Sequence, residues 1–392
     1  MKLNEKHIVI TSAVRTAVGT FNGKLKNMHG HQLGSIAVKE AIKRSKLKSS
    51  DVDEIVMGQV LTSSVGQNPA RQTAISAGIP KEKTAYVVNQ VCGSGLRSVV
   101  AGYQSIMSND AKIMVAGGQE SMSKAPHAIN FRSGKKLEET NLVDTMMKDG
   151  LWDAFNGYHM GVTAENVAAK WNISRSDQDN FALFSQKKAE QAQKDSKFKD
   201  EIVSIKLNSE KFVNDEHPRA GITIEKLTKL RPVFKKNGTV TAGNSSGIND
   251  GAAALVLMSQ EEAKKKKIEP LVKIVSWATC GVDPSLMGSG PIPASEKALK
   301  IAKWKVSDLD LVESNEAFAA QSLAVIRQLK IPKDIVNVNG GAIALGHPIG
   351  ASGSRILVTL IHEMIRRSSN KGLATLCIGG GMGIAMCIER CA

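Results

Sequence analysis

The sequence predicts an α/β protein made of two similar halves with a separate segment inserted between them. Three observations lead to this fold class. Short motifs recur at a nearly constant interval along the chain. Strand-like apolar segments alternate with helical patterns of roughly 10–20 residues in each half. The 392 residues include 34 glycines and only 4% aromatic side chains, a composition that suits close-packed helix and sheet layers.

The recurring motifs indicate a duplicated fold. The matching pairs are 41–43 with 298–300, 51–53 with 308–310, 93–97 with 351–355, and 115–118 with 377–380, at intervals of 257–262 residues. Unrelated matches would not share one interval, so each pair marks equivalent points in two copies of one unit. Each copy is predicted to run strand, helix, strand, helix, strand.

The stretch between the copies has a different character. From about Ser121 to Gly247 it is polar, contains the charged run 187–216 and carries no trace of the repeat. We interpret it as an inserted loop domain that covers one end of the strands. The predicted domains are a first half at 1–120 plus 248–270, the insert at 121–247 and a second half at 271–392. The first half would resume with a buried helix-and-strand stretch at Asp250–Met258.

Bulk properties argue against several classes of protein. No apolar run is long enough to span a membrane and the N-terminal segment lacks a secretory pattern, so we expect a cytoplasmic protein without a membrane partner. The five cysteines, Cys92, Cys280, Cys377, Cys387 and Cys391, form no CxxC pair, so we expect neither a disulfide framework nor a zinc site. The net charge is +15, but no basic stretch of the sequence contains the interleaved aromatic residues that stack on bases. This disfavours nucleic acid as a partner, and the positive charge fits a phosphate-bearing small molecule.

Cys92 is the first candidate for chemistry. A strand-like segment, Thr84–Val91, precedes it, and a helical pattern runs from Gly93 towards Met107. Free N–H groups and the helix dipole favour an anion at a helix start. Such a site lowers the pKa of a thiol and makes it nucleophilic. A cysteine there is also compatible with simple packing, and the remaining motifs favour the catalytic interpretation.

His347 is the candidate base. It lies in a glycine-rich loop before the helix that corresponds, in the second copy, to the helix after Cys92. If a pseudo-twofold axis relates the halves, both helix starts face one centre and His347 approaches Cys92. A thiol nucleophile needs a base within hydrogen-bond reach. The alternative is a loop histidine bonded to backbone, but Pro348 and the flanking glycines fix its placement and favour the base.

Two other strands of the second copy end in candidate site residues. The segment Leu373–Ile378 runs into a glycine turn whose free N–H groups suit an oxyanion. Cys377 near its end is a candidate acid or base, or else a buried structural cysteine. Asn315 follows another strand, at the edge where α/β folds bind ligands, and would orient a water or a carbonyl. Helix capping is the alternative role for Asn315.

Together these motifs resemble the thiolase family, and the resemblance covers essentially the whole chain. It is carried by NQVCGSGLRSV, TAGNSSGINDGAAA, ESNEAFAAQ, GGAIALGHPIGASGSR and CIGGGMGIAMCIE. The family fold has two similar halves packed as αβαβα layers, with a loop domain inserted in the first half. The resemblance implies an acyltransferase of lipid and fatty-acid metabolism that reversibly condenses two acetyl-CoA to acetoacetyl-CoA and CoA. It implies CoA thioesters as substrates, with no metal and no redox cofactor.

The resemblance also implies roles for individual residues. Cys92 would carry the acyl group, and His347 would take the thiol proton. Cys377 would move a proton at the α-carbon of the acyl-CoA. Asn315, through a water, and His347 would form one oxyanion hole, while the N–H groups of Cys92 and Gly379 would form the other.

Contacts with CoA follow from the same resemblance. The implied substrate-binding residues are Leu151, His159, Met160, Arg219, Ser246, Met287, Ala317 and Phe318. Arg219 suits a phosphate or adenine contact. The segment GYHMG resembles short-chain members, so His159 and Met160 would leave room for little more than an acetyl group. Ser314 departs from the family pattern, in which an apolar residue is usual, and would alter the packing beside Asn315.

Several alternatives stay open at this point. A broader-chain 3-ketoacyl-CoA thiolase of fatty-acid β-oxidation would use the same catalytic residues. A ketoacyl synthase would carry two catalytic histidines where this chain has His347 and Cys377, and hydroxymethylglutaryl-CoA synthase lacks the paired glycine signatures. A non-catalytic lipid carrier or scaffold would be free to lose Cys92. Because the family assembles from copies of one chain, a homotetramer or a dimer is expected.

Overall fold

The computed structural model describes residues 7–132, 134 and 141–391. The first half contains, in chain order, β1 (Ile8–Thr16), β2 (Gly19–Thr20), α1 (Gly30–Arg44), β3 (Glu54–Gly58), α2 (Pro69–Ser76), β4 (Thr84–Val88), α3 (Ser94–Met107) and β5 (Ile113–Ser121). The strands show a period of two: Ile55 and Met57 pack towards α1, while Val56 packs towards α3. Helix α2 begins at Pro69, where the fixed φ of proline suits a first helical position.

The chain leaves this sheet at Ser121 and rejoins it at Asn249. The intervening elements are β6 (His127–Ala128), β7 (Val143–Asp144), β8 (Trp152–Asp153), β9 (Tyr158–His159), α4 (Met160–Lys170), α5 (Arg175–Lys194), β10 (Ile202–Val203), β11 (Ile205–Leu207), β12 (Glu210–Phe212) and α6 (Ile224–Thr228). Buried ion pairs from Arg15 on β1 to Glu201 and Asp215 tie this segment to the sheet. The proposed insert boundaries thus lie close to the points where the sheet is interrupted, and they stay a prediction.

Strand β13 (Asn249–Ser259) and helix α7 (Gln260–Lys266) complete the first half, and the second half follows them. Its elements are β14 (Val272–Gly281), α8 (Pro291–Ala302), β15 (Leu311–Ser314), α9 (Ala319–Leu329), α10 (Ala342–Leu345), α11 (Ser352–Arg367), β16 (Lys371–Ile378) and β17 (Met382–Arg390). Short 3₁₀ turns lie at Ser49–Asp51, Met122–Lys124, Pro284–Ser289, Val306–Asp308 and Lys333–Ile335, and a π-helical turn lies at Met146–Leu151.

The helix-and-strand prediction for Asp250–Met258 is wrong, because the whole stretch belongs to strand β13. Strand β13 pairs with β1 on one side and β5 on the other, and it is buried along its full length. A strand covered on both faces carries a continuous apolar run, and periodicity alone does not separate such a run from a buried helix.

The strand order shows the twofold relation between the halves. The sheet runs β15-β16-β17-β14-β1-β13-β5-β3-β4, with β14 and β1 side by side at its centre. These two strands are antiparallel and pair Val9 with Lys273 and Ile10 with Val272. Outward from β1, strands β13 and β5 are each antiparallel to the strand before them, and β3 is parallel to β5. Outward from β14, strands β17, β16 and β15 repeat this order. The duplication predicted from the motifs is therefore present in the topology.

Equivalent aspartates repeat the same contact in both halves. The Asp53 carboxylate accepts hydrogen bonds from the backbone N–H groups of Lys112 and Ile113. The Asp310 carboxylate accepts the corresponding bonds from Asn370 and Lys371. Asp53 thus fixes the start of β5, and Asp310 fixes the start of β16.

Helices α3 and α11 form the middle layer. Their apolar faces share one core with strands of both halves, including Val56 and Leu376. Helices α1 and α2 cover the outer face of the first half, and α8 and α9 cover that of the second. The layers therefore alternate as αβαβα, which confirms the predicted fold class. Within residues 7–132, 134 and 141–391, no helix has the length and apolarity needed to cross a membrane.

Glycines allow the two middle helices to touch at their first turns. A Cβ on Gly95 would lie 2.7 Å from the backbone N of Ser354, and one on Gly353 would lie 2.4 Å from the backbone N of Leu96. The two contacts are reciprocal, as expected across a pseudo-twofold axis. This close approach brings the segments that precede both helices, and with them Cys92 and His347, to one centre.

Candidate active site

A cavity of about 670 Å³ opens where the inserted segment meets the two helix starts. Cys92, His347 and Gly379 all line it, which is the meeting that the twofold argument predicted. The side chains predicted to bind substrate line it as well: Leu151, His159, Met160, Arg219, Ser246, Met287, Ala317 and Phe318. Cys377 and Asn315 are buried just behind this wall.

A tight turn holds Cys92 between β4 and α3. Strand β4 ends at Val88, so the predicted strand to Val91 is too long; Val91 has φ of 46°, which no strand accommodates. The Ser94 hydroxyl donates to the Val91 carbonyl at 2.6 Å and accepts from the backbone N–H of Gln90 at 2.9 Å. These bonds close the elbow and direct the partly exposed Cys92 side chain into the cavity.

The electrostatics of Cys92 correct one expectation. Burial raises the pKa of the Cys92 thiol to about 11, and the negative charge of Glu120 adds to the rise. The Gly379 N–H donates to the sulfur and opposes this shift without overcoming it. The prediction that the helix start would lower this pKa is therefore wrong, because desolvation outweighs the backbone hydrogen bonds to the sulfur.

His347 is buried and uncharged at neutral pH. Burial lowers its pKa to about 3, and the positive charge of Arg355 contributes. Its backbone N–H donates to Asn249 Oδ1 at 2.9 Å, which anchors the loop to strand β13. Its ring Nδ1 lies 2.6 Å from the Ser352 hydroxyl and 3.5 Å from Asn315 Nδ2. A neutral imidazole with one nitrogen towards the cavity is able to accept a thiol proton.

Cys377 lies near the end of β16, two residues before Gly379 in the glycine turn. The side chain is 1% exposed and packs in an apolar cluster with Met160, Met287 and Phe318. Burial raises its pKa strongly, and the Cys92 thiol adds to the rise. A thiol in this setting gives a strongly basic thiolate when its proton leaves.

Asn315 follows β15 and points at the same centre. Its backbone N–H donates to the Thr375 carbonyl, which fixes it beside β16. Its Oδ1 is buried with no hydrogen-bond partner among the described residues, so a bound water or substrate is needed to satisfy it. The neighbouring Ser314 hydroxyl is also unpartnered, but Asn337 bonds both backbone groups of Ser314 and holds the strand end in place.

The inserted segment shapes the part of the cavity around Met160. The His159 ring caps α4 by accepting the Gly161 N–H, and it stacks on Phe234 with 4.5 Å between ring centroids. Phe234 meets Phe318 edge to face at 6.1 Å. A Cβ placed on Gly379 would lie 3.1 Å from Met160 Cε, so Met160 covers the glycine turn directly. Met160 and the stacked rings therefore bound the cavity beside the glycine turn.

The structure adds residues that the sequence analysis did not select. His217 and Phe234 line the cavity, and burial lowers the pKa of His217 to about 4. Glu120 is fully buried and accepts backbone N–H groups from Val60, Leu61 and Gly350, joining the two halves beside the site. Burial raises its pKa to about 8. His217 is two residues before Arg219, so the sequence could have indicated it as a site residue. No motif around Glu120 marks it as one.

The chain belongs to the thiolase family. The thiolase N-terminal domain model matches residues 8–261, and the thiolase C-terminal domain model matches residues 268–390. This confirms the resemblance stated from the motifs.

The curated relatives point to one subgroup of the family. The chain is 59% identical to an acetyl-CoA acetyltransferase of Rhizobium meliloti, over 99% of this chain and 100% of that protein. It is 50% identical to the cytosolic acetyl-CoA acetyltransferase of Rattus norvegicus, over the full length of both. Among solved structures, human mitochondrial 3-ketoacyl-CoA thiolase in complex with CoA matches with a TM-score of 0.96 at 44% identity, over 99% of this chain and 98% of that chain.

Proposed function

We propose that this chain is an acetyl-CoA C-acetyltransferase, which joins two acetyl-CoA molecules to acetoacetyl-CoA and CoA and runs the reaction in reverse. The observation that carries the proposal is the meeting of Cys92 and the neutral His347 ring at one cavity, with the buried Cys377 thiol behind its wall. The high identity to acetyl-CoA acetyltransferases supports the same activity. CoA thioesters serve as substrates, and no cofactor is required by the chemistry.

In the first half-reaction, Cys92 attacks the thioester carbon of acetyl-CoA while His347 takes the thiol proton. The N–H groups of Cys92 and Gly379 would stabilise the oxyanion; one such donor is typically worth about 3–4 kcal/mol. The C–S bond to CoA then breaks, and Cys377 gives its proton to the leaving CoA sulfur. The pKa of about 11 for Cys92 and about 3 for His347 supports a proton transfer coupled to attack, since a free thiolate does not accumulate.

In the second half-reaction, the Cys377 thiolate removes the α-proton of a second acetyl-CoA. Asn315 through a water, together with His347, would stabilise the resulting enolate. The enolate carbon attacks the acetyl group on Cys92, the new carbon–carbon bond forms and the Cys92 sulfur leaves. That sulfur recovers the proton held by His347, so every proton is accounted for. The raised pKa of the Cys377 thiol supports its role as the stronger base.

The acyl end of the site supports a short substrate. Met160 lies against Gly379, and the stacked His159 and Phe234 rings close the wall beside it. The CoA part would extend along Arg219 and Ser246 towards the opening. A broader-chain 3-ketoacyl-CoA thiolase is the second candidate, because a human 3-ketoacyl-CoA thiolase has a matching backbone.

Steady-state thiolysis tests both candidates. Acetoacetyl-CoA and 3-oxoacyl-CoA substrates with six to sixteen carbons are compared under identical conditions. Our proposal predicts a kcat/KM for acetoacetyl-CoA at least roughly tenfold above that for the longest substrates, because one methylene in a tight pocket is worth roughly 10- to 200-fold. Equal rates on long chains would reject the acetyl-specific assignment and favour the second candidate. Absence of activity on every substrate would leave only the carrier or scaffold.

We also propose self-association as a homotetramer or a dimer in the cytoplasm, acting in lipid and fatty-acid metabolism. Exposed apolar side chains at Phe131, Leu142 and Val143 on the inserted segment support an interface there. The cytosolic rat relative supports the location. Light scattering of the purified chain distinguishes the assemblies, and a monomer at all concentrations would reject this part of the proposal.

A further inference from the structure

We propose that Ser352 is a positioning residue that holds the His347 ring in the tautomer whose Nε2 is free of a proton. The inference rests on the function proposed above, because it concerns how His347 becomes a base. It adds a partner to the reaction that neither the motifs nor the catalytic cavity identified.

The contact joins two buried groups. Ser352 is the first residue of α11 and is 0% exposed, and His347 is 5% exposed. The Ser352 Oγ lies 2.6 Å from His347 Nδ1 and 2.9 Å from the backbone carbonyl of Pro348. Both distances lie within hydrogen-bond reach, and the one to Nδ1 is short.

The two contacts together select one arrangement of protons. The hydroxyl has a single proton, and the Pro348 carbonyl only accepts. If Ser352 donates to Pro348, its oxygen is free to accept a proton from His347 Nδ1, and both contacts are hydrogen bonds. If Ser352 instead donates to Nδ1, the contact with Pro348 becomes a repulsion between two lone pairs. The first arrangement is favoured, and it places the imidazole proton on Nδ1.

No other group competes for that proton within the described part of the chain. Asn315 Nδ2 is farther away, at 3.5 Å, and an amide N–H₂ donates and does not accept. Because Nδ1 faces the buried start of α11, Nε2 is the nitrogen that remains on the cavity side, where Cys92 lies. A fixed Nδ1–H leaves the Nε2 lone pair ready to take the thiol proton. The Nδ1–H bond to Ser352 also persists when the ring becomes charged.

Ser354, two residues after Ser352, supplies a matched control. It is also fully buried near the start of α11, and its hydroxyl donates to the Ala351 carbonyl at 2.8 Å. Its hydroxyl has no contact with the His347 ring among the bonds of the described residues. Ser354→Ala therefore removes a buried serine hydroxyl from the same helix start and leaves the histidine untouched.

Nitrogen-15 NMR of histidine-labelled protein reads the tautomer directly, without substrate. The signal of His347 is identified by its loss in His347→Asn. We expect the proton on Nδ1 in the wild type and in Ser354→Ala, and on Nε2 in Ser352→Ala. Acetylation of Cys92 in a rapid-mixing experiment should slow by roughly 10²-fold in Ser352→Ala, the lower range for a lost general base. Ser352→Thr keeps a hydroxyl and should recover the Nδ1 tautomer.

Distinct outcomes separate this inference from the proposed function. A wild-type ring protonated on Nε2, or an Nδ1–H that persists in Ser352→Ala, overturns the role of Ser352 whatever the enzyme activity is. An inactive wild type with the Nδ1 tautomer would overturn the function and leave the positioning contact standing. If Ser352→Ala fails to fold, the wild-type tautomer alone decides.

Discussion

Gly353 lies where α11 crosses α3, and replacing it with alanine is expected to move Cys92 and His347 apart. A Cβ at this position would lie 2.4 Å from the backbone N of Leu96 and 2.9 Å from its Cβ. Ordinary contact begins at 3.4 Å, so the two helices must separate by about 1 Å. The obstacle is backbone, which has no alternative rotamer to adopt.

This displacement should affect both stability and rate. Overpacking a tight core typically costs about 1–3 kcal/mol of unfolding free energy. Because Cys92 lies two residues before α3 and His347 five residues before α11, a shift of about 1 Å should also lower kcat by roughly 10²-fold. The fall in kcat is the distinctive part, since a destabilised protein that keeps its site intact remains active once folded.

Gly102→Ala is the matched control. Gly102 also belongs to α3, but the nearest atoms to a Cβ there are 3.5 Å away. This alanine fits and gains up to about 1 kcal/mol of helix propensity. Urea unfolding and acetoacetyl-CoA thiolysis are measured for both variants. A wild-type kcat in Gly353→Ala, with unchanged unfolding, would refute the argument that close helix contact sets the catalytic geometry.

Three further predictions concern the site itself. Cys377→Ala should still accept an acetyl group on Cys92, more slowly because the CoA sulfur must leave as a thiolate, but should lose condensation by at least roughly 10²-fold; normal acetoacetyl-CoA formation, followed by chromatography, would contradict the role of Cys377. Because burial raises the pKa of Cys92 to about 11, its thiolate fraction and its alkylation by iodoacetamide should rise roughly tenfold per pH unit between about pH 7 and 9; a level rate would mean that the thiolate is already formed. Met160→Ala should raise kcat/KM for a six-carbon substrate relative to acetoacetyl-CoA by roughly tenfold, and an unchanged ratio would remove Met160 from the determinants of chain length.

Much of the architecture follows from local patterns in the chain. The repeated aspartates at 53 and 310 mark equivalent strand starts, because each accepts hydrogen bonds from the backbone N–H groups at the start of β5 or of β16. The glycines at 95 and 353 occur at matching places because both helices need a close approach. A duplicated sequence therefore predicts a shared centre, and Cys92 and His347 meet there.

Properties set by distant parts of the chain were not predictable. The helix start suggests an acidic Cys92 thiol, but Met122 and Ile349 come from other segments and belong to a buried apolar cluster that packs against it. Glu120 adds an opposing charge from β5, with no local motif to mark it. Strand β13 was assigned in part to helix because its pairing partners on both sides lie far away in the sequence.

Some partners were visible in the motif without their role. Ser352 lies five residues after His347 in the GHPIGASG motif, yet only the folded loop shows that its hydroxyl reaches Nδ1. Phe234 lies outside every motif, and its stacking on His159 depends on how the inserted segment folds over the cavity. Sequence patterns thus identify the groups that react more readily than the groups that orient them.

The most direct test of the account asks whether Cys92 carries the acyl group. Wild-type protein is mixed briefly with acetyl-CoA, quenched in acid and digested, and the cysteine-containing peptides are examined by mass spectrometry. If Cys92 is the acyl carrier, we expect one acetyl group on its peptide and none on the equivalent peptide of Cys92→Ala. The variant should also form no acetoacetyl-CoA. Acetoacetyl-CoA production by a protein whose Cys92 is never acetylated, or by Cys92→Ala itself, would contradict it.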